Sequence, residues 1–166
     1  MDLNKFKNLK SPYILILVGP PLSGKSFFCN KFISEIGDVD VISRDAILLD
    51  VYGSDNYDEA FKNVNQRDVD VELQNKLVQS SKSNRNVIID MTNMTSKRRS
   101  HNLKNFNSYT KIAVIFPILE FDEYNRRNDK RKSEENKFIP EQVLRNMIGS
   151  YQPIRESEGF DKVITI

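Results

Sequence analysis

The sequence predicts an α/β protein in which a parallel five-stranded sheet carries helices on both faces. Three observations predict it: five short aliphatic runs, helical stripes between them, and separations long enough for crossover connections. The runs are Tyr13–Val18, Val39–Ser43, Val87–Asp90, Lys111–Phe116 and Lys162–Ile166. They lack polar alternation, which is the pattern of strands covered on both faces.

Between the runs the apolar period changes. After Gly24-Lys25-Ser26, the residues Phe28, Phe32 and Ile36 recur every fourth position, and Gly37 stands where a helix ends. Val69, Leu73 and Leu77, widened by Val78, mark a second helix, and a third begins after Thr95. The stripe of Val143, Leu144, Met147, Ile148 and Tyr151 follows Pro140, which is placed in the first turn. These stripes read as core.

A length of 166 residues implies about one domain. The expectation is a single unit over 1–166, with an N-terminal extension at 1–11 and a lid at about 120–139. Hydrophobic residues make up 39% and charged residues 29%, enough for one core beneath a charged surface. The net charge of +2 leaves no strong field of one sign over the whole chain. Tyr13–Val18, the longest apolar run, falls far short of the roughly 20 residues of a membrane span, so no membrane partner is expected. Cys29 is the single cysteine, which excludes an intrachain disulfide and any CxxC site, and it reads as a small buried hydrophobe. The expectation is a soluble, cytoplasmic protein.

Gly19-Pro20-Pro21-Leu22-Ser23-Gly24-Lys25-Ser26 matches G-x-x-x-x-G-K-[ST] at every fixed position. Small residues let the backbone curl so that successive N–H groups point inward, and a helix N-terminus closes the resulting anion cradle. Lys25 then reaches the β- and γ-phosphates of ATP or another nucleoside triphosphate, and the Ser26 hydroxyl ligates Mg²⁺. An aliphatic strand before the motif and an amphipathic helix after it supply the required context.

Four further groups lie near predicted strand ends. Asp90 closes Val87-Ile88-Ile89 and either orients the Mg²⁺ shell or caps the next turn. Arg44 and Asp45 follow Ser43; Asp45 can accept a hydroxyl proton while Arg44 holds an acceptor phosphate, or the two are a helix cap and a surface arginine. The run Arg126-Arg127-Asn128-Asp129-Lys130-Arg131-Lys132 lies between a helix and the loop Ser133–Ile139, as a lid over the polyphosphate or as a solvated face. Lys97-Arg98-Arg99 with His101 and Lys104 could follow a nucleic-acid backbone or be the wet face of a helix. His101 has no Cys or His beside it and reads as a helix-face residue.

Taken in order, these elements resemble a known family. The phosphate loop precedes Ser43-Arg44-Asp45, then Ile89-Asp90-Met91-Thr92-Asn93, Arg127-Asn128-Asp129-Lys130-Arg131, Phe138-Ile139-Pro140 and Glu158-Gly159-Phe160-Asp161. The order is similar to the kinase domain of polynucleotide 5′-kinases, the phage enzyme and its animal relatives, among the small P-loop kinases. The resemblance implies the P-loop kinase fold and transfer of phosphate from ATP, with Mg²⁺, to a 5′-hydroxyl end of DNA or RNA. It implies a general base at Asp45, with Lys25 and Arg131 also catalytic. The nucleotide would lie on Gly19, Pro20, Pro21, Leu22, Ser23, Gly24, Lys25, Ser26 and Phe27, with Arg127 and Arg131 above it. The acceptor falls to Arg44, Asp45, Asp90, Thr92 and Asn93, and the metal to Ser26 and Asp90. Two departures stand out. Leu48 occupies the position of a further acceptor-phosphate arginine in the phage enzyme, and no phosphatase domain is expected. A phage-encoded copy would work in host cytoplasm. The rival readings are a P-loop kinase acting on a small-molecule hydroxyl (nucleoside, sugar or antibiotic) and a nucleotide-binding switch without chemistry.

Overall fold

The computed structural model describes residues 2–135 and 137–166, so Asn136, within the expected lid, lies outside the described residues. Five strands form one sheet: β1 (Tyr13–Val18), β2 (Val39–Ser43), β3 (Asn86–Asp90), β4 (Thr110–Ile115) and β5 (Lys162–Thr165). Their order is β2-β3-β1-β4-β5, and every pairing is parallel. All five predicted runs are strands, with ends moved by one residue at β3, β4 and β5. The helices are α1 (Lys25–Glu35), α2 (Arg44–Tyr52), α3 (Tyr57–Asn63), α4 (Gln66–Lys82), α5 (Ser96–Leu103), α6 (Phe121–Glu135) and α7 (Glu141–Gly149).

Every residue of β1 is buried, because both sheet faces are covered. Ile14, Ile16 and Val18 point into one core with Ile47 and Leu48 of α2, Ala60 of α3 and Val69, Leu73 and Leu77 of α4. Leu15 and Leu17 point the other way, against Phe28 and Phe32 of α1. The predicted N-terminal extension joins this second core: Leu3 and Phe6 are buried, and Phe6 meets Phe28 and Phe32 edge-on. Burying a Leu or Phe side chain contributes roughly 1.5–3 kcal/mol, so residues 3–6 stabilise the α1 face.

Two expectations change. The basic run lies inside α6, which continues through Glu135, so Ser133–Glu135 are helical and not part of a loop. Pairs along the helix, Lys130 with Glu134 and Arg131 with Glu135, span that extension. Pro140 is the N-cap of α7 and not a first-turn residue. Helices α2 and α3 carry no long apolar stripe; Ser43 and Asn56 start them by accepting from Ala46 and Glu59 N–H.

Candidate active site

The loop between β1 and α1 lies at the carboxyl edge of the central strand, where open parallel sheets bind ligands. Its backbone explains its sequence. A Cβ on Gly19 would come within 2.7 Å of Phe116 Cβ, and Gly24 has φ +99°, a conformation that favours glycine. Leu22 is also left-handed at φ 64°, a strained setting for a non-glycine residue and one that recurs at ligand sites. The Gly19 N–H donates to Thr92 O at 2.9 Å, which ties the loop to the segment after β3.

Lys25 opens α1 with its ammonium inside the loop, donating to Pro20 O at 2.6 Å and Gly19 O at 3.1 Å. Burial lowers its pKa to about 8, while Asp90 and Asp45 oppose the shift and Arg131 adds to it. Lys25 therefore lies within electrostatic reach of all three of these charges. Next to Lys25, the Ser26 hydroxyl donates to Asp90 Oδ2 at 3.1 Å. Burial raises the Asp90 pKa against the pull of Lys25. Asp90 does not cap the next helix; Thr95 does, accepting from Arg98 N–H.

Ser26 and Asp90 thus offer two hard oxygens side by side at the mouth of the loop. Among the described residues there is no group of three His, Cys, Asp or Glu able to hold a metal. Mg²⁺ keeps several waters and takes one or two protein oxygens plus substrate phosphates, so this pair fits it. When bound there, the ion would neutralise charge on the phosphoryl oxygens.

Asp45 sits in the first turn of α2. The N-cap role belongs to Ser43, which leaves the Asp45 carboxylate available to the cleft. Its Oδ1 accepts from the Tyr57 hydroxyl at 3.2 Å, and its Oδ2 has Lys137 Nζ at 3.6 Å and Arg131 Nη2 at 3.8 Å. The side chain is 46% exposed, so it is reachable and not locked in an interior ion pair. A hydroxyl arriving there would meet an acceptor for its proton with two cations alongside.

The outer wall comes from α6. Arg127 donates to Leu22 O at 2.9 Å and is steadied by Glu123 at 2.6 Å, so its guanidinium bridges α6 to the phosphate loop. Arg131 stands one turn on and also bonds Glu135 at 3.1 Å. Buried Asn128 donates to Ile139 O at 2.7 Å and accepts from Ile139 N–H at 3.1 Å, clasping the returning chain against α6. Within the basic run, then, Arg127 and Arg131 turn to the cleft while Arg126 and Lys130 pair along the helix.

The structure does not bring every expected residue into the cleft. Arg44 bends to α4, bonding Asp70 Oδ1 at 3.0 Å and Gln66 Oε1 at 2.8 Å. Asn93 is fully buried with φ 46°; it donates to Leu17 O and Met91 O and accepts from Asn102. Thr92 contributes its carbonyl to the loop. Arg99 is buried, forming two bonds of 2.6 and 2.7 Å with Glu158 and donating to Asn93 O and Met94 O, so it organises the interior and leaves Lys97 and Arg98 exposed. Exposed His101 pairs with Gln74 at 2.8 Å. Buried Cys29 faces Asp90, which joins desolvation in raising its thiol pKa. Tyr57 and Lys137 escaped the sequence reading. Tyr57 had a signal, since Asn56-Tyr57-Asp58-Glu59 is a helix-start pattern, whereas Lys137 reaches Asp45 only through the tertiary fold.

The fold, the phosphate loop and the facing carboxylate define a kinase-type P-loop protein that uses a nucleotide. A family model described as an AAA domain (AAA_33) matches residues 14–154, and the chain belongs to that family. Heterogeneous nuclear ribonucleoprotein U-like protein 2 of Mus musculus is 25% identical over 165 residues, covering 95% of this chain and 22% of that protein. In the structure of the Pnkp1/Rnl/Hen1 RNA repair complex, one chain superposes with a TM-score of 0.68 at 28% identity, over 88% of this chain and 46% of that one. A gluconokinase from Sinorhizobium meliloti 1021 superposes with a TM-score of 0.60 at 13% identity, over 95% of this chain and 83% of its own. The chain therefore spans less than half the length of the mouse protein and of the repair-complex chain it matches. The resemblance to polynucleotide 5′-kinases read from the sequence agrees with these findings.

Proposed function

We propose that this chain transfers the γ-phosphoryl group of ATP, bound with Mg²⁺, to the 5′-hydroxyl end of DNA or RNA. The observation that carries the reading is the Asp45 carboxylate, exposed just past the end of β2, ringed by Tyr57, Arg131 and Lys137, and within electrostatic reach of Lys25 beside the phosphate loop. Asp45 takes the proton of the attacking 5′-hydroxyl, and the hydroxyl oxygen bonds to the γ-phosphorus as the bond between that phosphorus and the departing ADP oxygen breaks. Lys25, Arg127 and Arg131 offset charge on the donor, while the residues at 120–139 act as a lid. Positioning and charge neutralisation are the main demands of such a transfer. The nucleic-acid acceptor is supported by the order of sequence elements and by likeness to a chain of an RNA repair complex.

A small-molecule acceptor is the second reading, and specific residues favour it. Leu48 is fully buried in the core, Arg44 is engaged by Asp70 and Gln66, and Arg99 is interior, so none of these grips an acceptor phosphate. Transfer of labelled phosphate from ATP to 5′-hydroxyl oligonucleotides, nucleosides and sugars separates the two. The expected result is labelled oligonucleotide, with an acceptor KM that rises steeply with salt as counterion release requires. Labelled sugar or nucleoside with unlabelled oligonucleotide would overturn the first reading.

A further inference from the structure

Helix α3 buries Ala60 and sets its two aromatic residues together at the edge of the cleft. Tyr57 and Phe61, one turn apart, stack with ring centroids 6.0 Å apart and planes at 21°. Tyr57 is accounted for by its bond to Asp45 and by Lys137, which lies 4.3 Å over its ring. Phe61 is not. It belongs to neither apolar core and is 53% exposed, although it stacks on the ring whose hydroxyl is bonded to Asp45.

We propose that the Tyr57–Phe61 pair is a stacking platform for the nucleobase of the nucleotide being phosphorylated. This rests on the reading of Asp45 as the group that receives the hydroxyl proton. A 5′-hydroxyl held on Asp45 carries its base one sugar ring away, and the aromatic surface leads away from Asp45 through Tyr57 to Phe61. Every base has a π-face, so such a platform binds ends of any sequence. It also supplies an acceptor grip that needs neither an arginine at position 48 nor Arg44. Offset stacking on an already ordered ring pair costs little additional side-chain entropy, because Tyr57 is fixed at both its hydroxyl and its ring face.

The test uses the whole chain with a non-hydrolysable ATP analogue and Mg²⁺, plus a 5′-hydroxyl oligonucleotide whose first base is 2-aminopurine. Binding should quench the fluorophore by stacking, with the quench lost in Phe61→Ala and kept in Phe61→Trp. In parallel, kinase assays should show a base-bearing end preferred over an abasic end by roughly tenfold, mostly in KM, with the preference erased in Phe61→Ala. Equal melting midpoints for the variants would show that the fold is intact. Quenching without transfer to any oligonucleotide would sink the polynucleotide kinase reading and reduce the ring pair to a base-binding surface with no part in phosphorylation. Oligonucleotide transfer with no quench, or with the same preference in Phe61→Ala, would overturn the platform alone; absence of both transfer and quench would overturn both.

Discussion

On the proposed function, Lys25 should make nucleotide binding sensitive to alkaline pH. Its side chain is 8% exposed, and burial brings its pKa from 10.5 to about 8. That difference amounts to roughly 3 kcal/mol between the charged and neutral forms. A bound polyphosphate needs the ammonium and restores its high pKa, so binding takes up a proton wherever the unliganded protein has lost one. Between pH 7 and pH 9 the charged fraction falls from about nine-tenths to about one-tenth, so affinity for MgATP should fall about tenfold. The phosphoryl oxygens themselves are almost fully ionised by pH 7 and add little to this slope. Isothermal titration at pH 8 in buffers of different ionisation enthalpy should reveal uptake of about half a proton, and Lys25→Met should lose both the uptake and the slope. The same group affects folding with the opposite sign. Its folded pKa is below its unfolded one, so between pH 8 and 10.5 the unfolded chain holds the extra proton and stability rises with pH. Relative to Lys25→Met, the wild-type protein should gain stability to urea across that window. An affinity that stays flat from pH 7 to 9, with heats independent of buffer, would refute the reasoning.

Other predictions follow from the same geometry. Asp45→Asn should lower turnover at least ~10²-fold while a fluorescent ATP analogue binds as before, the scale for losing a general base; turnover within a few-fold of wild type would remove Asp45 from that role. Gly19→Ala should lower the melting temperature more than Gly24→Ala does. The first drives a Cβ to 2.7 Å from Phe116 Cβ, while the second meets open space and bears only the left-handed penalty of roughly 1–2 kcal/mol. Glu158→Gln should destabilise the protein by about 3–5 kcal/mol in urea titrations, because Arg99 is fully buried and would keep an uncompensated charge. Asp90→Asn should raise the Mg²⁺ concentration needed for half-maximal transfer, and Ser26→Ala should do so to a smaller extent, both read from metal titrations at saturating ATP.

The sheet and the donor half of the site were legible because their causes are local. Aliphatic runs make buried strands, and the glycines and lysine of the phosphate loop are fixed by the conformation they must adopt. Asp45 and Asp90 could be placed because a residue ending a parallel strand faces the ligand edge. The rest depends on distant parts of the chain. Asn93 and Arg99 look like surface groups in sequence; only the fold supplies Asn102, Glu158 and the Leu17 carbonyl that satisfy them inside. Arg44 sits beside Asp45 in sequence, yet one helical residue of rotation aims it at Asp70. Helix α6 was cut short because its apolar content is low. Its extent rests on charge pairs along the helix, with Tyr124 and Asn128 buried on its inner face.

The clasp between Asn128 and Ile139 has a mechanical consequence. It ties the chain at Ile139 back to the middle of α6, with Arg131 beyond one end of the clasp and Lys137 before the other. The clasp sets Arg131 three residues past one of its ends and Lys137 two residues short of the other, so Asn128→Ala should loosen the hold of both cations beside Asp45.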